Sequence, residues 1–113
     1  MAQHGRNPYP RNHHTMRVTK ERLEHLAATL NRVTGSPEEP WTRGADGKLT
    51  ANVGCYHLSW AYGGVDLHQM REGGGVVGPL AGGYGTKRAL FEQLKAMIEG
   101  VRVGREVGLR ATR

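Results

Sequence analysis

The chain has 113 residues, a formal charge of +6, 37% hydrophobic residues, 17 glycines, and an aromatic set of one Phe, two Trp and four Tyr. A chain of this length supports one core and not two, and its poverty in aromatics makes that core lean. Cys55 is the single cysteine, which excludes an internal disulfide and any multi-cysteine zinc site and fits a reducing compartment. No apolar run approaches the roughly 20 residues of a membrane span, and no signal-peptide-like stretch opens the chain, so no membrane partner and a cytoplasmic location are expected.

The first 15 residues, MAQHGRNPYPRNHHT, hold too few apolar side chains to offset the entropy of ordering and are expected to form a disordered basic arm. Met16 is an expected natural start, and residues 16–101 an expected single domain. From Thr19, a plausible N-cap, Leu23, Leu26, Ala27, Leu30 and Val33 recur at the spacing of one helical face, with Gly35 as the stop. Ser36-Pro37-Glu38-Glu39-Pro40 cannot continue a helix, because proline lacks an amide proton and restricts its predecessor.

Asp46-Gly47 signals a hairpin turn between Trp41-Thr42-Arg43 and the run from Lys48 to Val53. A second hairpin is expected around Gly63-Gly64, pairing Tyr62 with Val65, Trp60 with Leu67 and Leu58 with Gln69. This register puts Leu58, Trp60, Tyr62, Val65 and Leu67 on a core face and His57, Ser59, Asp66 and His68 on a wet one. The passage from Gly73 to Gly85 reads as an irregular connection. Thr86 then opens a second helix whose apolar positions Leu90, Phe91, Leu94, Met97, Ile98 and Val101 keep helical spacing, and Gly100 marks its expected end; the remaining VRVGREVGLRATR is either a frayed continuation or a basic tail, with residues 102–113 assigned as the tail. The order predicts a two-layer α+β domain: helix, three or four antiparallel strands, helix, with both helices on one face of the sheet.

Charge is segregated. Residues 1–18 carry three arginines and no acid, residues 101–113 carry four arginines against Glu106, and residues 19–100 hold nine basic and nine acidic side chains. Polyanion affinity therefore belongs mainly to the ends. Within the body, Gly82-Gly83-Tyr84-Gly85-Thr86-Lys87-Arg88 is a glycine loop entering a helix that opens on two cations, against the helix dipole. Gly83, Gly85, Thr86, Lys87 and Arg88, with Arg102 and Arg105 from the tail, form the candidate anion or nucleic-acid contact set. Solvated cations beside a structural loop are the competing reading. The order Gly-Thr-Lys is not that of an ATP-binding P-loop.

His57 and His68 share a strand face with Asp66, an arrangement open to a weak metal site or a proton relay, although a polar solvent-facing surface is the preferred reading. Tyr56, Trp60 and Tyr62 alternate as a base-stacking platform would, yet a chain so poor in aromatics needs them in its core. No nucleophile elbow or paired carboxylates occur, so no catalytic residue, cofactor or metal is assigned and the chain is expected not to be an enzyme.

The element order, with Gly83-Tyr84-Gly85-Thr86-Lys87-Arg88-Ala89 at the second helix, partially resembles the double-stranded RNA-binding domain, in which a Gly-rich loop leads into phosphate-contacting lysines. Residues 16–101 more closely resemble short uncharacterised bacteriophage and prophage proteins. Thr19-Lys20-Glu21, Gly47-Lys48-Leu49, Ala51-Asn52-Val53-Gly54, Ala61-Tyr62-Gly63-Gly64 and Gly73-Gly74-Gly75 carry that likeness. It implies an accessory protein acting in the host cytoplasm and transfers no catalytic residue. Nucleic-acid or other polyanion binding is the expected function. The rivals are a protein-binding role, toward a host or phage factor or a second copy, and a minor virion component.

Overall fold

The computed structural model describes residues 17–111. The expected arm at 1–15 and the start at Met16 lie outside them. The elements run α1 (Lys20–Thr34), β1 (Trp41–Arg43), β2 (Leu49–Ala51), β3 (Tyr56–Ala61), β4 (Gly64–Met70), a 3-10 turn (Glu72–Gly74), β5 (Val76–Val77) and α2 (Lys87–Ala111). The fold is α+β, as the sequence predicts, with five strands split between a β1–β2 sheet and a β3–β4–β5 sheet, both antiparallel.

α1 is bounded by the residues expected to bound it. The Thr19 hydroxyl accepts from the Arg22 amide at 3.2 Å. Gly35, at φ 72°, donates to Arg32 while Ser36 donates to Asn31, the paired bonds of a Schellman stop. Leu23 and Leu30 of α1, Leu90, Leu94 and Ile98 of α2, and Val65 and Leu67 of β4 form the core, so both helices cover one face of the larger sheet. Fully burying one such leucine contributes about 2 kcal/mol.

Four expectations are corrected. First, the second hairpin turns on Tyr62-Gly63, and pairs Trp60 with Val65 and Leu58 with Leu67. The pairing slips by two residues, which leaves strand faces unchanged because side chains alternate with period two. The slip has a cause: a Cβ on Gly64 would lie 2.7 Å from the Gly85 carbonyl oxygen. Residue 64 must be glycine in the strand, and Tyr62 takes the turn at φ 54°.

Second, the opposite face is not wet. Asp66 is 5% exposed and Met70 1%, and the connection from Gly78 to Tyr84 lies over that side: Gly78 leaves no room for a Cβ to clear the Asp66 carboxylate comfortably, at 3.3 Å, and Tyr84 reaches Ser59. Third, the glycine passage contains the short strand β5, paired with Gln69 and Met70. The β1–β2 hairpin, which turns through Ala45-Asp46-Gly47 and so includes the expected Asp46-Gly47 signal, leans on the same passage, where a Cβ on Gly74 would meet the Trp41 ring at 2.8 Å.

Fourth, α2 does not end at Gly100. It continues through Gly104 and Gly108 to Ala111, so that of the two readings of this stretch the helical continuation is the one observed, and the separate tail from residue 102 is not. Glycine stops a helix only when the chain that follows turns away, and Val101-Arg102-Val103 does not compel that.

Candidate functional site at the start of α2

β4 holds the beginning of α2 in place. Gly85 exchanges both backbone hydrogen bonds with Val65, at 2.9 and 3.0 Å. The next residue, Thr86, closes the helix: its hydroxyl accepts from the Ala89 amide at 3.0 Å and its carbonyl from Leu90 at 3.1 Å. Gly83 sits at φ 63° and Gly82 at φ 97°, conformations that turn the loop toward the helix. Gly83 and Gly85 therefore shape this region, and the Gly85 amide is committed to Val65. What faces outward is the exposed Lys87 side chain, which has no ion pair among the described residues. Arg88 lies 3.8 Å from Glu92 and 5.9 Å from the centre of the Phe91 ring.

Beside Lys87 opens a hollow of about 550 Å³ lined by Trp60, Ala61, Gly63, Gly64, Gly85 and Thr86. Trp60 is 43% exposed and Tyr62, at the hairpin tip, 92% exposed. The core assignment of these two rings from composition is thus overturned, while Tyr56 packs against the core as expected. Tyr62 rests edge-on against Tyr84, with ring centres 5.3 Å apart. A cation, a helix start and the exposed Trp60 ring consequently line one hollow, while Tyr62 lies with Tyr84 on the Ser59 side of the hairpin. The signal for this was present in Ala61-Tyr62-Gly63-Gly64, which allows either of two turns; only the approach of Gly85 selects between them.

The polar residues of the opposite sheet face also converge. Ser59 and Tyr84 share a hydrogen bond of 2.6 Å between hydroxyls. His68 Nε2 is 3.5 Å from Asp66 Oδ2, and Asp66 Oδ1 accepts from the Leu67 amide at 2.8 Å. His57 and His68 stand edge to face, 5.9 Å between ring centres. Burial pushes the His57 imidazole below its ordinary pKa, the Leu58 backbone opposes that shift and His68 adds to it, and the buried His57 Nε2 has no hydrogen-bond partner. These groups mostly satisfy one another and fasten the loop to the sheet. Among the described residues no cluster of three His, Cys, Asp or Glu side chains is placed to hold a metal ion. Cys55 is fully buried, and burial raises its thiol pKa against the opposing Asn31 contact.

Arg102 and Arg105 do not join Lys87. They follow it along the same helix, at 1.5 Å per residue about 22 to 27 Å away. Arg102 instead lines a groove between the helices with His25, Thr29, Arg32, Lys95 and Glu99. The candidate set therefore divides into a helix-start site and a separate basic seam. No protein-family model, curated protein or solved structure matches the chain.

Proposed function

We propose that the protein is a non-enzymatic, nucleic-acid-binding accessory domain of low sequence specificity. A backbone phosphate meets Lys87 at the start of α2, and an unpaired base lies against Trp60 in the adjoining hollow. The observation that carries this reading is the exposure of the Trp60 ring in one hollow with Lys87, a cation with no ion pair among the described residues. Aromatic stacking and phosphate neutralisation are the two parts of single-strand binding, and the first is available only where a ring faces solvent. The basic seam at Arg32, Lys95 and Arg102 adds long-range attraction. A binding role, not a catalytic one, is favoured because the Ser59, Tyr84, Asp66 and His68 side chains are engaged with one another and with backbone.

The test is binding of a fluorescent single-stranded oligonucleotide as salt rises from about 50 to 200 mM, a range over which electrostatic binding weakens steeply. Binding should be measurable at the lower salt. Lys87→Ala should flatten the salt dependence by about one counterion, and Trp60→Ala should weaken binding by about 1 to 3 kcal/mol without changing that slope. Absence of binding at the lower salt removes the proposal.

A further inference from the structure

We propose that the open stretch of the β3 edge is a docking groove for an extended, basic peptide segment, which adds to the sheet as a strand beside Leu58 and Trp60.

Backbone geometry supplies the first argument. Val65 exchanges both its hydrogen bonds with Gly85, on the side of β4 away from β3. In an antiparallel pair hydrogen-bonded and non-bonded positions alternate, so Trp60, opposite Val65, turns its amide and carbonyl outward, as do Leu58 and Tyr56. At Tyr56 the outward groups are satisfied. Asn31, buried on α1, donates to the Tyr56 carbonyl at 2.9 Å and accepts from its amide at 2.8 Å, in the manner of a neighbouring strand. Among the described residues nothing takes up the Leu58 and Trp60 amides. An unpaired edge of this kind is a template for another strand unless charge, proline or a bulge protects it.

The second argument is shape and charge. Alongside this edge runs a groove of about 510 Å³, walled by α1 on one side and by residues 38–40 on the other. Ala27 and Ala28 leave room at its floor, and Glu24, Glu38 and Glu39 face it against the single cation Lys20. None of these four has an ion pair among the described residues. On a chain of net charge +6 this is a local reversal of sign. A segment offering backbone to Leu58 and Trp60 and Lys or Arg side chains to the carboxylates meets both features, as peptides that extend a sheet do.

The experiment uses the full-length, 15N-labelled protein and two capped synthetic peptides of about seven residues, long enough to span the edge at 3.3 Å per residue. One alternates Arg with Val and the other Glu with Val. The arginine peptide should shift the Leu58 and Trp60 amide resonances and slow their hydrogen exchange at least about tenfold. The double substitution Glu38→Lys, Glu39→Lys should weaken that binding by roughly tenfold or more, whereas Lys87→Ala should leave it unchanged. The proposal is overturned if the arginine peptide leaves both amides untouched or the glutamate peptide binds equally well. It is also overturned if the two amides are already protected in the peptide-free chain, by a second copy when protection fades on dilution, or by the chain's own residues 1–16 when it does not.

Discussion

The two long sides of the β3–β4 ladder are finished differently. Along the outer side of β4 the closure is continuous. β5 pairs with Gln69 and Met70, the Asp66 carboxylate takes the Leu67 amide, and Gly85 pairs with Val65. Along the outer side of β3 the closure stops after Tyr56, where Asn31 stands in for a strand. The difference teaches that a short chain closes an edge with single side chains where its loops cannot reach, and that where neither reaches, the sheet remains able to accept a partner.

Four substitutions, the last of them followed over a pH series, can break or sharpen that contrast. The largest effect is expected at Asn31→Leu, which leaves the Tyr56 amide and carbonyl without partners and should cost about 3 kcal/mol in urea unfolding; a cost below about 1 kcal/mol would mean that the edge is not closed there. On the β4 side, Gly64→Ala forces a Cβ against the Gly85 backbone, 2.7 Å from its carbonyl oxygen, and should destabilise by about 2 kcal/mol. An unchanged midpoint would show that the Val65–Gly85 bridge is dispensable. At the tip joining both strands, Tyr62→Gly should stabilise by about 1 kcal/mol by relieving a left-handed backbone at a non-glycine residue. Loss of stability instead would show that the Tyr62–Tyr84 contact outweighs the backbone strain.

The smallest effect concerns His57 beneath the open edge. Its folded pKa is depressed by burial, so the unfolded chain takes up the proton at the higher pH. Stability is therefore complete above the unfolded value of about 6.5 and declines as pH falls through it toward the folded value. His57→Leu should lose less stability than the parent between pH 7.5 and 5, a comparison that cancels the contributions of the other histidines. Parallel pH profiles would contradict this account.

How much of this was legible depended on how local its causes are. α1 was readable because Thr19, the Leu23–Leu30 stripe and Gly35 act within a turn of themselves. Gly100 misled for a related reason: it is the same residue type as Gly35, but Ser36-Pro37 drives the chain out of a helix after Gly35 and nothing does so after Gly100. The strand faces of β3 and β4 survived a misplaced turn because a two-residue slip preserves parity. The turn itself depended on Gly85, remote in sequence. β5 offered only Val76–Val77 among glycines, too short to show alternation. At the candidate site, Thr86 and Lys87 were found from the glycine loop. Composition and register assign Trp60 and Tyr62 to the core, but neither reports how far the helices cover a hairpin, and the structure leaves both rings exposed. Asn31 gave no signal, since a helical asparagine discloses nothing of the strand it will complete.

α2 has 25 residues against 15 in α1, which at 1.5 Å per residue makes it about 15 Å longer than the helix beside it. Its surplus turns carry glycine at positions 100, 104 and 108, each costing about 1 kcal/mol relative to alanine, and their exposed valines return little of that through burial. This end of the helix should melt gradually on warming, so circular dichroism ought to record a sloping loss of helicity well before the cooperative transition of the body.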